Sequence, residues 1–120
     1  MKEPEITNDR FSVNIANAAR CLRNNDCENA FKEIIEAMLL NPDAPQPHNL
    51  LGILYELQGD GNRARRHYRA AYSLDPTYRP ACKNLEQICT VFDDIKQHIY
   101  TYGDEPEESA AGKNGLRSWL

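Results

Sequence analysis

This sequence lacks the features that would place the chain in a membrane or give it a recognisable active site. No run of apolar residues approaches the roughly 18 that a membrane-spanning helix needs, and residues 1–11 contain no apolar core typical of a signal peptide. There is no glycine-rich phosphate loop, and no acid, base and nucleophile occur together at a spacing typical of catalysis. We therefore expect a cytoplasmic protein that is not an enzyme and uses no cofactor.

The four cysteines, Cys21, Cys27, Cys82 and Cys89, do not form a metal-binding pattern. Five, 54 and six residues separate them, and this spacing matches neither a zinc site nor a thioredoxin-type redox motif. Three of them, Cys21, Cys82 and Cys89, fall at helix positions expected to face inward, where a thiol serves as a small apolar group. The pattern predicts reduced cysteines and no metal.

Length and charge favour one modest domain without a nucleic-acid partner. The chain has 120 residues, a net charge of -4 and a pI near 5.3. A local basic run contains Arg63, Arg65, Arg66 and Arg69. We interpret this run as the solvated outer face of a helix, with a basic patch for an acidic partner or nucleic acid as the alternative.

Residues 45–76 hold two short amphipathic helices around a break at Gly59-Asp60-Gly61. Small residues let two helices approach closely, and Pro76 ends the second helix because it lacks an amide donor. The apolar positions at helical spacing are Leu50, Leu51, Leu54, Tyr55 and Leu57 before the break, and Ala64, Tyr68, Ala71, Tyr72 and Leu74 after it. The pattern predicts a helical hairpin that needs neighbours to bury its remaining faces.

The same pattern occurs 34 residues earlier and starts again after Pro76. Residues 27–40 are predicted to form a helix. A third unit opens at Arg79-Pro80, and no glycine or proline interrupts residues 90–95, so its helix is expected to continue to about Tyr100. The aligned positions are Ala30, Ile34, Ala37 and Pro42 with Ala64, Tyr68, Ala71 and Pro76.

The central hairpin resembles the tetratricopeptide repeat (TPR) family. The residues that carry the resemblance are His48, Leu51-Gly52, Tyr55, Ala64, Tyr68, Ala71 and Pro76, with His48 where the family usually has Trp. The resemblance implies an all-α, right-handed α-solenoid of two TPR helical hairpins, about residues 11–44 and 45–78, and a long C-terminal capping helix over about 79–100. Residues 1–7 are then expected to be a flexible N-terminus, and 101–120 a disordered acidic tail.

In the TPR family the first helix of each hairpin lines a concave groove that accepts an extended or helical peptide. The matching peptide-binding positions here are Ile15, Ala19, Leu22, Arg23, Gln46, Asn49, Ile53, Glu56, Leu57, Lys83, Asn84 and Gln87. Apolar side chains are expected to be exposed at Ile15, Leu22, Ile53 and Leu57. Some family members clamp a carboxylate with Lys, Asn and Arg, but only Lys83 and Asn84 are suitable in kind, so a carboxylate clamp is not expected.

The resemblance therefore implies a protein or peptide-binding adaptor, with no nucleic acid and no membrane among its partners. Two alternatives stay open: a self-associating structural module whose groove is filled by its own chain, and a non-catalytic accessory subunit of an enzyme complex. A homodimer through Phe92, Ile95 and Ile99 is a further hypothesis, because their apolar stripe extends past the hairpin that it would cover. The tail could also dock transiently through its only Trp, Trp119.

Overall fold

The computed structural model describes residues 3–90 and 98–105, with side chains from Arg10 onward. Helices are the only regular secondary structure in this part of the chain, which contains no strand, so the predicted all-α class is confirmed. None of its helices combines the length and the apolar character needed to span a membrane. The helices are α1 (Glu3–Arg23), α2 (Cys27–Leu40), α3 (Gln46–Leu57), α4 (Gly61–Leu74) and α5 (Arg79–Ile88).

Each helix packs on the next one along the chain, and α3 also contacts both α1 and α5. The three odd-numbered helices therefore lie side by side. Apolar residues from α1 to α4 form one core because each helix turns a stripe of them inward. Its fully buried members include Ala18, Ala19, Ala30, Ile34, Ala37, Leu50, Ile53, Ala64 and Tyr68.

The turns before α2 and α4 have matching geometry. Asn25 and Gly59, which lie 34 residues apart, both have a positive φ, of 60° and 82°. The next residue caps the helix in each case: a side-chain oxygen of Asp26 accepts from the Asn29 amide at 3.2 Å, and Asp60 accepts from the Arg63 amide at 3.1 Å. Such caps satisfy backbone donors that have no partner within the helix.

The hairpin of α3 and α4 is closed by a contact between Gly52 and Tyr68. A Cβ atom built on Gly52 would overlap the Tyr68 ring, so only glycine allows this approach. Tyr68 is fully buried, and its hydroxyl donates to Glu56 Oε2 at 2.9 Å. Burial and the adjacent Glu56 carboxylate raise the pKa of Tyr68, so the hydroxyl stays a donor.

Two predicted boundaries differ from the structure. Helix α1 begins at Glu3, whereas residues 1–7 were expected to be flexible. Helix α5 ends at Ile88, and Thr90 and residues 98–100 are not helical, so the predicted capping helix over 79–100 does not run unbroken to Tyr100; residues 91–97 lie outside the described part of the chain. The Thr90 hydroxyl donates to the Glu86 carbonyl oxygen at 2.8 Å, which satisfies one of the last carbonyls of α5. Apolar residues at helical spacing past Ile88 had suggested a longer helix.

Some predicted orientations also differ. Tyr72 was expected to face inward and is about half exposed, and Cys89 is exposed although it was predicted to be buried. Cys21 and Cys82 are partly buried, and all four cysteines are free. Of the predicted dimer contact, Ile99 is 80% exposed, while Phe92 and Ile95 lie outside the described residues. The predicted docking residue Trp119 also lies outside them.

Candidate functional site

Residues 98–105, here called the C-terminal segment, lie across the side-by-side helices α1, α3 and α5. The segment is held by Arg23 of α1, by Asn49 and Glu56 of α3, and by Asn84 and Gln87 of α5. We call the surface formed by these five side chains the groove. Residues 101–105 were expected to belong to a disordered tail, and that expectation is wrong for them because they make these specific contacts.

Two asparagines hold the backbone of the C-terminal segment at its centre. Asn84 Nδ2 donates to the Thr101 carbonyl oxygen at 2.9 Å, and Asn84 Oδ1 accepts from the Thr101 amide at 2.9 Å. Asn49 Nδ2 donates to the same carbonyl oxygen at 3.0 Å, and its own Oδ1 accepts from Asn84 Nδ2 at 2.8 Å. Both asparagines are fully buried, so this network satisfies groups that would otherwise be costly to bury.

One end of the groove is a buried carboxylate. The Glu56 side chain is only 6% exposed, and its Oε1 lies 2.7 Å from Nδ1 of His98. The other oxygen accepts from the Tyr68 hydroxyl, so both oxygens have a donor. A carboxylate in this position favours a donor, and above all a cation, at the start of the bound segment.

The other end of the groove is a guanidinium. Arg23 pairs with both oxygens of Asp104, at 2.7 Å and 2.9 Å, and Glu105 adds a longer contact at 3.4 Å. The same guanidinium lies over the Tyr102 ring, 4.2 Å from its centre. Hydrogen bonding to Arg23 lowers the pKa of Asp104, while that to Asp104 raises the pKa of Arg23. Planar pairing of this kind matches the geometry of a carboxylate and fixes its orientation.

Aromatic side chains fill the space between the two charged ends. Tyr100 and Tyr102 pack against the core and meet edge to face, with ring centres 6.3 Å apart. Burial, followed by the nearby Glu56 carboxylate, raises the pKa of Tyr100 to about 12. Ile99, between His98 and Tyr100, points outward, and its amide donates to Gln87 Oε1 at 3.0 Å. Alternate side chains of the segment therefore face the groove, as in an extended strand.

The bend that carries the segment from Tyr102 to Asp104 needs glycine. Gly103 has a φ of 84°, in the left-handed region that other residues seldom adopt. A Cβ at this position would also overlap the Tyr78 side chain beside the first turn of α5. Gly103 thus directs Asp104 towards Arg23.

A stack of three rings lies on the other side of α3, between α3 and α4. The centre of the His67 ring lies 5.4 Å from the ring centres of both His48 and Tyr55. The Nδ1 atoms of the two histidines are 3.2 Å apart. Burial lowers the pKa of both histidines, and the nearby His48, Arg63 and Arg66 lower the pKa of His67 further. His48 and His67 are both half-buried.

The predicted groove residues divide into two groups. Arg23, Asn49, Glu56, Asn84 and Gln87 hydrogen-bond to the C-terminal segment, and Lys83 lies beside it. Ile15, Ala19, Leu22 and Ile53 are buried, and Leu57 and Gln46 are partly buried. The expectation that Ile15, Leu22 and Ile53 would be exposed is therefore wrong, because they belong to the shared core.

The C-terminal segment itself was missed from the sequence. One signal could have found it: His98, Tyr100, Tyr102 and Asp104 occupy alternate positions, which favours an extended chain with one face packed. This alternating pattern is short and directly follows apolar residues at helical spacing. The sequence was therefore interpreted as a continuing helix.

Comparisons with family models, with curated proteins and with solved structures find no match to this chain. In the described residues no three His, Cys, Asp or Glu side chains come together in a way that could hold a metal ion. The geometry of the groove is therefore what bears on function.

Proposed function

We propose that this chain is a TPR-type interaction module that binds an extended peptide of a partner protein in the groove, without catalysis. The observation that carries the proposal is the buried pair Asn49 and Asn84, which bonds both the carbonyl and the amide of Thr101. Contacts to the main chain hold any extended peptide, whatever its side chains.

The position of the pair supports binding rather than packing alone. Three hydrogen bonds join the pair to one residue of an irregular segment, and each contributes about 0.5–1.5 kcal/mol net. Two buried amides without such a partner would be costly, so the groove is preformed for an extended backbone. An apolar contact would have served a purely structural segment as well.

The TPR part of the proposal is supported by the equivalent geometry of positions 34 residues apart. Helices α2 and α4 start at Cys27 and Gly61 and end at Leu40 and Leu74. Their caps, their positive-φ turn residues and their fully buried alanines correspond at the same offset. In a TPR solenoid the groove would then be the concave surface formed by the first helices.

A second candidate function is a structural module whose groove is permanently filled by its own chain. The occupation of the groove by residues 98–105 favours this reading. The two candidates differ in whether a peptide added in trans can replace the C-terminal segment.

The test is a binding titration on the full chain with the segment weakened. In a Tyr100→Ala/Tyr102→Ala variant the segment loses its aromatic anchors while every groove side chain remains. A fluorescent octapeptide with the sequence of residues 98–105 should bind this variant, with anisotropy rising to saturation. Asn84→Ala in the same background should weaken binding about tenfold or more, because two of the three hydrogen bonds to the peptide backbone are lost.

The matched control is Arg69→Ala, which changes an exposed side chain of α4 and should leave peptide affinity unchanged. A second opened variant, Asp104→Lys, places a cation against Arg23 and should bind the peptide as well. Failure of both opened variants to bind, with helical circular dichroism intact, would favour the self-filled module and refute the adaptor.

A further inference from the structure

We propose that the partner peptide carries a cation, two aromatic residues and a carboxylate at successive alternate positions, and that residues 98–105 are a resident competitor with a weaker first position. This inference rests on the proposed function and specifies the partner. The register is defined by His98, Tyr100, Tyr102 and Asp104, which meet successive parts of the groove.

The charged ends of the groove fix the direction of the bound peptide. Glu56 faces the first position and Arg23 the seventh, with the asparagine pair between them. A peptide in the reverse direction would place its carboxylate against Glu56 and its cation against Arg23. Like charges at such distances are strongly unfavourable, especially at a carboxylate that is only 6% exposed.

The first position is where a partner peptide can bind more tightly than the resident segment. His98 presents an imidazole nitrogen to Glu56 at 2.7 Å, and a histidine carries a positive charge only when it is protonated. Arg or Lys there would present a permanent cation, and a charge-assisted hydrogen bond is about twice as strong as a neutral one. A partner with such a residue gains an advantage that the tethered segment lacks.

The seventh position selects a carboxylate. Arg23 bonds both oxygens of Asp104, whose side chain is 17% exposed, and the Tyr102 ring covers one face of the guanidinium. Tyr102 thus helps to hold Arg23 in the plane that pairs with the acid. An aromatic residue two positions before the acid is therefore part of the same recognition.

A separate protein fits this site better than a second copy of the chain or a nucleic acid. A second copy offers the identical segment without a tether. The resident segment is tethered and has an effective concentration of the order of millimolar, so the second copy competes poorly with it. A nucleic acid would suit Arg23 but would bring phosphates against Glu56. An extended protein segment alone can match both ends of the groove.

The experiment uses the full-length Tyr100→Ala/Tyr102→Ala chain and four octapeptides at pH 7.5. These are the sequence of residues 98–105, the same with Arg at the first position, the same with Arg at the seventh, and a scrambled control. The first-position Arg peptide should bind at least about threefold more tightly than the resident sequence. The seventh-position Arg peptide should bind at least about tenfold more weakly.

A charge reversal in the protein provides the decisive control. In an Arg23→Glu variant of the same background the order should invert, with the seventh-position Arg peptide now binding better than the resident sequence. Arg23 is a partly exposed side chain at the end of α1, so the substitution leaves the core intact. Helical circular dichroism checks that the variant is folded.

Different outcomes refute different statements. If no peptide binds either opened variant, the proposed function fails. If all four peptides bind equally, the groove reads only the backbone, so the function stands and the sequence preference is wrong. Failure of Arg23→Glu to invert the order refutes the role of Arg23. If the opened chain forms a species of twice 13.7 kDa with the wild-type chain in sedimentation, the occupant is a second copy and not a separate protein.

Discussion

The strongest prediction concerns Asn84, since one substitution there tests both the fold and the groove. Asn84→Ala removes three hydrogen bonds, and Asn49 can keep only its bond to the Thr101 carbonyl. Asn49 Oδ1 and the Thr101 amide are then left without a partner. Each unpaired buried group costs about 1–3 kcal/mol.

Two effects reduce this cost. Thr101 is only partly buried, so water can replace its lost bond in part. Alanine is also a better helix former than asparagine by about 0.5 kcal/mol. We expect a net loss of about 2 kcal/mol, which is a large share of the roughly 5–15 kcal/mol by which small domains are stable.

Urea unfolding should register this loss as a lower midpoint, by about 1 M for a domain of this size. Amide hydrogen exchange gives a second, local measurement: the Thr101 amide should be protected in the wild-type chain and exchange freely in Asn84→Ala. The matched control is Glu86→Ala, an exposed position of the same helix, with an expected change within about 0.5 kcal/mol. The reasoning is refuted if both variants lose the same stability, or if the wild-type Thr101 amide is already unprotected.

Two further predictions concern α3 and α4. Gly52→Ala should lower the free energy of unfolding by about 1–3 kcal/mol, because the added methyl group would overlap the Tyr68 ring. The control Gly61→Ala should not lower it, since a Cβ there meets nothing closer than 3.8 Å. Equal urea midpoints for the two variants would contradict the close contact. Stability should also fall as the pH drops below about 6.5, since burial lowers the pKa of His48 and His67 and the unfolded chain therefore binds protons first. His67→Phe keeps the stack and should reduce this slope between pH 7 and 5; an unchanged slope would assign it to other groups.

The C-terminal boundary shows what periodicity cannot decide. Apolar residues at helical spacing predicted a helix to about Tyr100, but α5 ends at Ile88 and residues 98–105 lie on the groove. Local spacing describes only which residues can share a face. Whether that face belongs to a helix or to an extended segment depends on partners more than ten residues away, such as Asn49 and Arg23, which no local pattern contains.

The groove residues were similarly predicted only in part. The TPR resemblance placed Asn49, Asn84 and Arg23 among the twelve predicted positions, but it gave no reason to separate them from Ile53, which is fully buried in the core. Their roles became distinguishable only through the contacts with the C-terminal segment. Which of these side chains are buried depends on how α1, α3 and α5 lie beside one another. That arrangement cannot be read from the sequence.

The sequence by itself determined the all-α class, the helix over residues 27–40, the turn at Gly59 and the absence of a metal-binding cysteine pattern. These follow from short-range chemistry: apolar spacing, a residue that accepts a positive φ, and ligand spacing. Only the tertiary structure decided that Thr101 lies between two buried asparagines and that Asp104 meets Arg23, 81 residues away. Those contacts depend on the packing of three helices, and their free energy appears only when all three are in place.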